Sequence, residues 1–283
     1  MNDGLRTAQA VDGTVLRYEV AGPAEGLAAA GPSVVFLHGS LARRSAFRKI
    51  RATLEPTRTL ILTILRGHED DTEPLPADYG LATTELTDLL AILQCEGESR
   101  IDLVAHSTGG SIAIALAARY PQRVRRMVLI EPTLLPLLKG DIAERVSADV
   151  SAVAAARAQG DHAEAMRLTL NFVGGSAWKA SSSEARQRIL DALAPLAPLA
   201  GPHIAALADL DVSAAEITAM QPEVLLLYGR ESAYFEPSIA ACLAELRPDF
   251  EQLHIDRAGH NSHLDRPDVV GPVVAAFLQD GGR

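Results

Sequence analysis

The sequence predicts an α/β protein: a mostly parallel, doubly wound sheet covered by helices on both faces, with a helical segment inserted between two strands. Three observations predict it. Short, continuously apolar runs such as VVFL (Val34–Leu37), LILTIL (Leu60–Leu65) and IDLVA (Ile101–Ala105) alternate with helical patterns. These runs lack the apolar–polar alternation of a strand with one wet face, so both faces are expected to be covered. From Pro132 to about Gln221 no strand-like run occurs, and the chain there is Ala-rich, helical in pattern and punctuated by Pro195, Pro198 and Pro202.

The elements follow in order. VLRYEV (Val15–Val20) alternates apolar and polar residues, like an exposed early strand. A loop rich in Gly, Pro and Ala runs from Gly22-Pro23 to Gly31-Pro32, and VVFL then ends at His38-Gly39. Leu81–Leu93 has helical spacing. Ile112–Ala118 is an apolar, Ala-rich helix stopped by Pro121, which cannot continue it. Val128–Ile130 is the next strand. After the helical stretch, VLLLY (Val224–Tyr228) resumes the sheet, Ser238–Leu246 is a helix, Glu251–Ile255 is the last strand, and Val269–Leu278 closes the chain as a helix. The expected division is a core of residues 1–132 and 222–283 with a helical lid of residues 133–221 over the carboxyl ends of the strands.

Composition narrows the function classes. Of the 283 residues, 48% are hydrophobic and 22% charged, enough apolar matter for a real core, and the formal net charge is −10. An acidic chain has no electrostatic reason to bind nucleic acid or an anionic membrane, and gains no attraction for an anionic substrate. A neutral, apolar small molecule is the expected ligand. Cys95 and Cys242 fall in helical stretches without metal-ligand spacing and are expected to be reduced and structural. The first residues lack the apolar core of a signal peptide, and charge or proline breaks every long apolar run, so the expected location is cytoplasmic.

The chemistry centres on Ser107. LVAHSTGG (Leu103–Gly110) sets a serine between a buried strand and a buried helix, with Ala105 two residues before it and Gly109 two residues after. A sharp strand-to-helix turn would push its Oγ out at the sheet's end, and the flanking residues must be small for the backbone to bend so tightly. The N–H of Thr108 would then stand at the first turn of a helix, where the dipole favours a developing oxyanion. A capping serine at a helix start is the plainer alternative.

This segment resembles the nucleophile elbow of the α/β-hydrolase family, usually Gly-x-Ser-x-Gly, with Ala105 in place of the first Gly. The resemblance extends over nearly the whole chain. It implies that His260, after the last strand in AGHNSHL, is the general base; His254 and His263 are nearby rivals. His38-Gly39-Ser40 resembles the family's His-Gly-x loop, which implies a second oxyanion donor from the N–H of Ser40, or of Gly39 if the register slips. Arg66-Gly67-His68 resembles another family segment, with Ile64 where an Asp usually precedes it. His68-Glu69-Asp70-Asp71 is expected to be a solvated acidic loop rather than a metal site; no metal or cofactor is expected.

The acid departs from the usual pattern. The family commonly supplies an Asp in a Gly-x-x-Asp segment after the strand that follows the lid, and here that segment is Gly229-Arg230-Glu231-Ser232. Glu231 is one candidate, but a one-residue shift at a strand end reverses its direction. Glu131, at the end of the strand Val128–Ile130, is preferred, because some branches of the family place their acid there. In the helical segment Trp178, in GGSAW, is expected either to wall the cleft or to pack the lid. Glu131, this segment and the Ser–His pair together resemble the zearalenone lactonase branch, which implies hydrolysis of an ester or lactone of a bulky apolar substrate. Carbon–carbon bond hydrolysis with the same groups and a non-catalytic ligand-binding role are the alternatives. Dehalogenase and epoxide hydrolase chemistry would need an Asp in place of Ser107.

Overall fold

Strands buried on both faces belong in the middle of a sheet, and the apolar runs lie there. A computed structural model describes residues 5–23, 29, 31–69 and 75–279. The strands are β1 (Leu5–Gln9), β2 (Val15–Ala21), β3 (Val34–Leu37), β4 (Leu60–Thr63), β5 (Ile101–His106), β6 (Val124–Ile130), β7 (Glu223–Gly229) and β8 (Glu251–Ile255). They form one eight-stranded sheet in the order β1-β2-β4-β3-β5-β6-β7-β8. β2 runs antiparallel to both β1 and β4, and every pair from β4 to β8 is parallel.

The helices are α1 (Arg48–Leu54), α2 (Leu86–Cys95), α3 (Thr108–Arg119), α4 (Gly140–Ala158), α5 (His162–Val173), α6 (Gly175–Ala180), α7 (Ser183–Leu193), α8 (Ala197–Ala208), α9 (Ala214–Ala219), α10 (Glu236–Leu246), α11 (Ser262–Asp265) and α12 (Pro267–Leu278). Successive strand residues point to opposite faces. Val35, Leu103, Leu129 and Leu226 accordingly join the core under α3 and α10, while Phe36, Val104, Val128 and Leu227 join the core under α1 and α12. Helices α4 to α9 all lie between β6 and β7, and α5 and α8 meet the loop after β3 in a third apolar cluster through Leu41, Met166 and Leu199.

Several expectations change. β1 was not anticipated: of its five residues only Ala8 is buried, so the edge strand leaves no apolar signature. α1 was missed as well. β4 ends at Thr63, two residues earlier than expected, although Leu65 is still buried. The expected break of long apolar runs by charge and proline fails in one place. Ser183–Ala208 is a continuous helical run of 26 residues, long and apolar enough to cross a bilayer, with 44% of its most apolar window buried inside the protein. The N-terminal residues 1–4, part of the Gly/Pro loop at 24–28 and 30, and Asp70 and Asp71 of the acidic loop lie outside the described residues.

Candidate active site

β5 ends at His106, and Ser107 follows with φ 52° and ψ −119°, a left-handed conformation that costs a non-glycine residue on the order of 1–3 kcal/mol. The bend turns the chain directly into α3, whose first residue is Thr108. The first N–H groups of a helix have no carbonyl behind them, which leaves the Thr108 N–H available at the site. Tight packing holds the bend in place. A Cβ added to Gly109 would stand 2.2 Å from the Leu37 carbonyl oxygen, and one added to Gly39 would stand 2.8 Å from His106 Nδ1. Gly109→Ala is therefore expected to destabilise the fold by about 3 kcal/mol or more, since backbone on the facing strand must move. A thermal midpoint within a degree or two of wild type would contradict that close approach.

Three side chains from three strand ends meet at the carboxyl edge of the sheet. His260, in the loop after β8, has Nε2 2.9 Å from Ser107 Oγ and Nδ1 2.8 Å from Glu131 Oε2. A carboxylate only accepts, so Nδ1 carries the proton and Nε2 is left to accept from the serine. Glu131 is the residue after β6, fully buried, with φ 46°. Its other oxygen, Oε1, accepts from the Gly229 N–H at 2.6 Å and from the Ser232 hydroxyl. The residue standing where an acid is usual thus supports the carboxylate on the neighbouring strand. Glu231 does not reach the histidine: its side chain is exposed, while its carbonyl accepts from the Ser176 N–H at 2.9 Å. Of the rival histidines, His254 is exposed on the edge strand β8, and His263 is buried in a stack with Phe47 and His106.

Ser40 lies beside Thr108. Its hydroxyl is 2.6 Å from Thr108 Oγ1 and 2.8 Å from His203 Nδ1 on α8, and His203 Nε2 is 3.3 Å from the Tyr79 hydroxyl. Tyr79 in turn donates to Glu85 at 2.8 Å. This chain ties the loop after β3, the start of α3 and the inserted helices together. Gly39 offers its carbonyl to His38 Nδ1 at 2.9 Å. Arg66 is structural, paired with Asp88 at 2.5 Å and Asp12 at 2.6 Å.

A family model for the alpha/beta hydrolase fold matches residues 32–267. The chain belongs to the α/β-hydrolase family. Among curated relatives, the sn-1-specific diacylglycerol lipase ABHD11 of Mus musculus is 26% identical over 261 residues, 87% of this chain and 81% of that protein. A 2-hydroxymuconate semialdehyde hydrolase of Pseudomonas putida is 26% identical over 228 residues, 79% of this chain and 78% of the relative. Uncharacterised proteins of Mycobacterium bovis and Mycobacterium tuberculosis match more narrowly, at 33% identity over 106 residues, so the alignment spans 30% of their length and 37% of this chain. Among solved structures, a putative aryl esterase from Burkholderia cenocepacia superposes with a TM-score of 0.73 at 23% identity, covering 97% of each chain.

In this α/β-hydrolase, Ser107 and His260 open into a cavity of about 640 Å³. The inserted helices contribute apolar wall residues: Leu170 and Val173 on α5, Ile189 and Leu193 on α7, Ile204 and Leu207 on α8. Trp178 both lines the cavity and packs, since it is 8% exposed and its indole N–H donates to Asn171 Oδ1 at 2.8 Å. Gly175, at φ 59°, lets α6 close on the core: a Cβ there would stand 2.2 Å from the Glu231 carbonyl oxygen.

Two residues near the hydrolase centre escaped the sequence. His203 is a single polar residue in an Ala-rich helix, and nothing local marks it as a partner of Ser40. Glu236 looks like an ordinary acidic residue in the first turn of a helix, yet it is 1% exposed and 3.7 Å from His260 Nδ1. Glu131, Glu236 and His260 have donor atoms within 4.8 Å of one another, a grouping that could suggest a metal. The 2.8 Å spacing of Nδ1 and Oε2 is that of a hydrogen bond. Two donors on one tetrahedral zinc stand farther apart, at about 3.3 Å.

Proposed function

We propose that this protein is a serine hydrolase that cleaves a carboxylic ester or lactone of a neutral, apolar substrate through an acyl-enzyme. The observation that carries the reading is the hydrogen-bonded series Ser107–His260–Glu131 opening into an apolar-walled cavity. Ser107 Oγ attacks the carbonyl carbon while His260 Nε2 takes its proton. Glu131 holds the imidazole tautomer and stabilises the imidazolium. The N–H groups of Ser40 and Thr108 face the oxyanion. Collapse of the tetrahedral intermediate expels the alcohol, which takes the proton from His260, and a water activated by the same nitrogen releases the acid. The net charge of −10 and the apolar walls favour an uncharged substrate.

Carbon–carbon bond hydrolysis of a dione is the second reading, favoured by the similarity to the Pseudomonas putida hydrolase over 79% of the chain. Labelling by a fluorophosphonate probe, followed by a panel of p-nitrophenyl esters, macrolactones and diones, tests the proposal. Ser107 is expected to be labelled and at least one ester or lactone hydrolysed. A folded protein that resists the probe would point to a ligand-binding role instead, and turnover of diones alone would favour the second reading.

A further inference from the structure

Glu236 sits in the first turn of α10, and neither of its carboxyl oxygens has a hydrogen-bond partner among the described residues. It faces His260 from one side, with Oε1 3.7 Å from the same Nδ1 that Glu131 meets at 2.8 Å. Tyr228, on β7, presents a buried hydroxyl that likewise has no partner among the described residues. The titratable groups around Glu236 are thus Glu131 at the end of β6, Tyr228 on β7 and His260 after β8. A carboxylate without partners is too costly to keep charged in such a place. Burial, and after it the charge of Glu131, push the Glu236 carboxyl well above the usual carboxylate range. Glu236 is therefore a neutral acid, and the two carboxyls carry one negative charge between them, as close carboxyl pairs do.

We propose that Glu236 is a second acid for His260, a positioning carboxyl that stabilises the imidazolium whenever Glu131 is not ionised. The single negative charge then faces His260 from the first turn of α10 instead of from the end of β6. The segment after β7 then does bring a carboxyl to the histidine, four residues beyond Ser232. The proposal rests on the serine-hydrolase reading above.

The test compares Glu131→Gln, Glu236→Gln and the double variant in the full chain, on an ester that wild type cleaves, from neutral to alkaline pH. Glu131→Gln is expected to lose about 10²-fold in kcat/KM at neutral pH, against the ~10⁴-fold loss of a triad stripped of its acid. It should regain about tenfold as the pH is raised, because Glu236, held neutral by burial, then ionises. Glu236→Gln should lose no more than about threefold, because Glu131 still holds the imidazolium. The double variant should fall to the full ~10⁴-fold loss and show no alkaline recovery. A flat profile for Glu131→Gln overturns the proposal even where the double variant fails to fold. Equal rates for Glu131→Gln and a folded double variant overturn it as well.

Ring nitrogen NMR of His260 reads the same interaction without turnover. The Nδ1 resonance should differ between Glu131→Gln and the double variant, which has lost the second carboxyl. That difference in a protein that hydrolyses no ester would mean that the hydrolase reading has failed alone. Turnover with identical His260 ring nitrogen resonances would mean that the second acid has failed alone.

Discussion

Ser107→Ala is expected to lower kcat on any ester or lactone by about 10⁶-fold. The size follows from what the hydroxyl does in the proposed reaction. Without Oγ no acyl-enzyme forms, and the remaining groups offer only an oxyanion site and a bound substrate. The fold should survive. Alanine has the same Cβ, so the strain at φ 52° is unchanged, and the lost contacts are those to His260 at 2.9 Å and Thr133 at 3.2 Å. Near-wild-type melting, absent fluorophosphonate labelling and lost turnover together are the expected result. A folded Ser107→Ala protein that keeps more than about 1% of wild-type activity would require a different nucleophile.

Acidification from pH 7.5 to 5 is expected to remove on the order of 5 kcal/mol of folding stability. His38, His68, His106, His203 and His263 are all buried. Burial is the first cause that holds each of them neutral: it lowers His38 to about 4, His68 and His263 to about 3, and His106 and His203 well below the ordinary value. In the unfolded chain each takes up a proton near its ordinary value of 6.5. Below that pH the unfolded state binds more protons, so stability present above 6.5 is lost at about 2 kcal/mol per histidine by pH 5. Two buried carboxyls act in the opposite sense. Burial, then Asp88, pushes Glu85 up to about 7, and burial, then Glu131, raises Glu236. Their stabilising contribution is full at acid pH and fades as pH rises, so they offset part of the loss. Urea unfolding at pH 7.5 and 5 measures the balance. A midpoint unchanged or higher at pH 5 would rule out the neutral histidine cluster.

The legibility of the sequence follows from how local each signal is. β3, β5 and β7 announced themselves because burial on both faces makes a strand apolar throughout, whereas β1 pairs only with β2 and buries Ala8 alone. Ser107, His260 and Glu131 were legible because strand ends at one sheet edge converge, so residues distant in sequence were already expected to meet. Ser40 and Thr108 were placed by the same logic, but the His203 contact to Ser40 spans 163 residues and begins in a helix with no distinguishing pattern. Glu236 was hidden by a good local explanation. An acidic residue in a helix's first turn suits the dipole, and only the approach of β6 and the loop after β8 turns it into a buried acid.

The division of labour around the cavity bears on how this protein could be altered. Ser107, Glu131 and His260 follow strands of the sheet, and the apolar walls at Leu170, Val173, Ile189, Leu193, Ile204 and Leu207 hang from helices inserted between β6 and β7. In the proposed reaction, a mutant library confined to those six wall positions is expected to vary which molecules are admitted while leaving Ser107, His260 and Glu131 in place. Under the proposed function, selectivity and reactivity are separately editable in this chain.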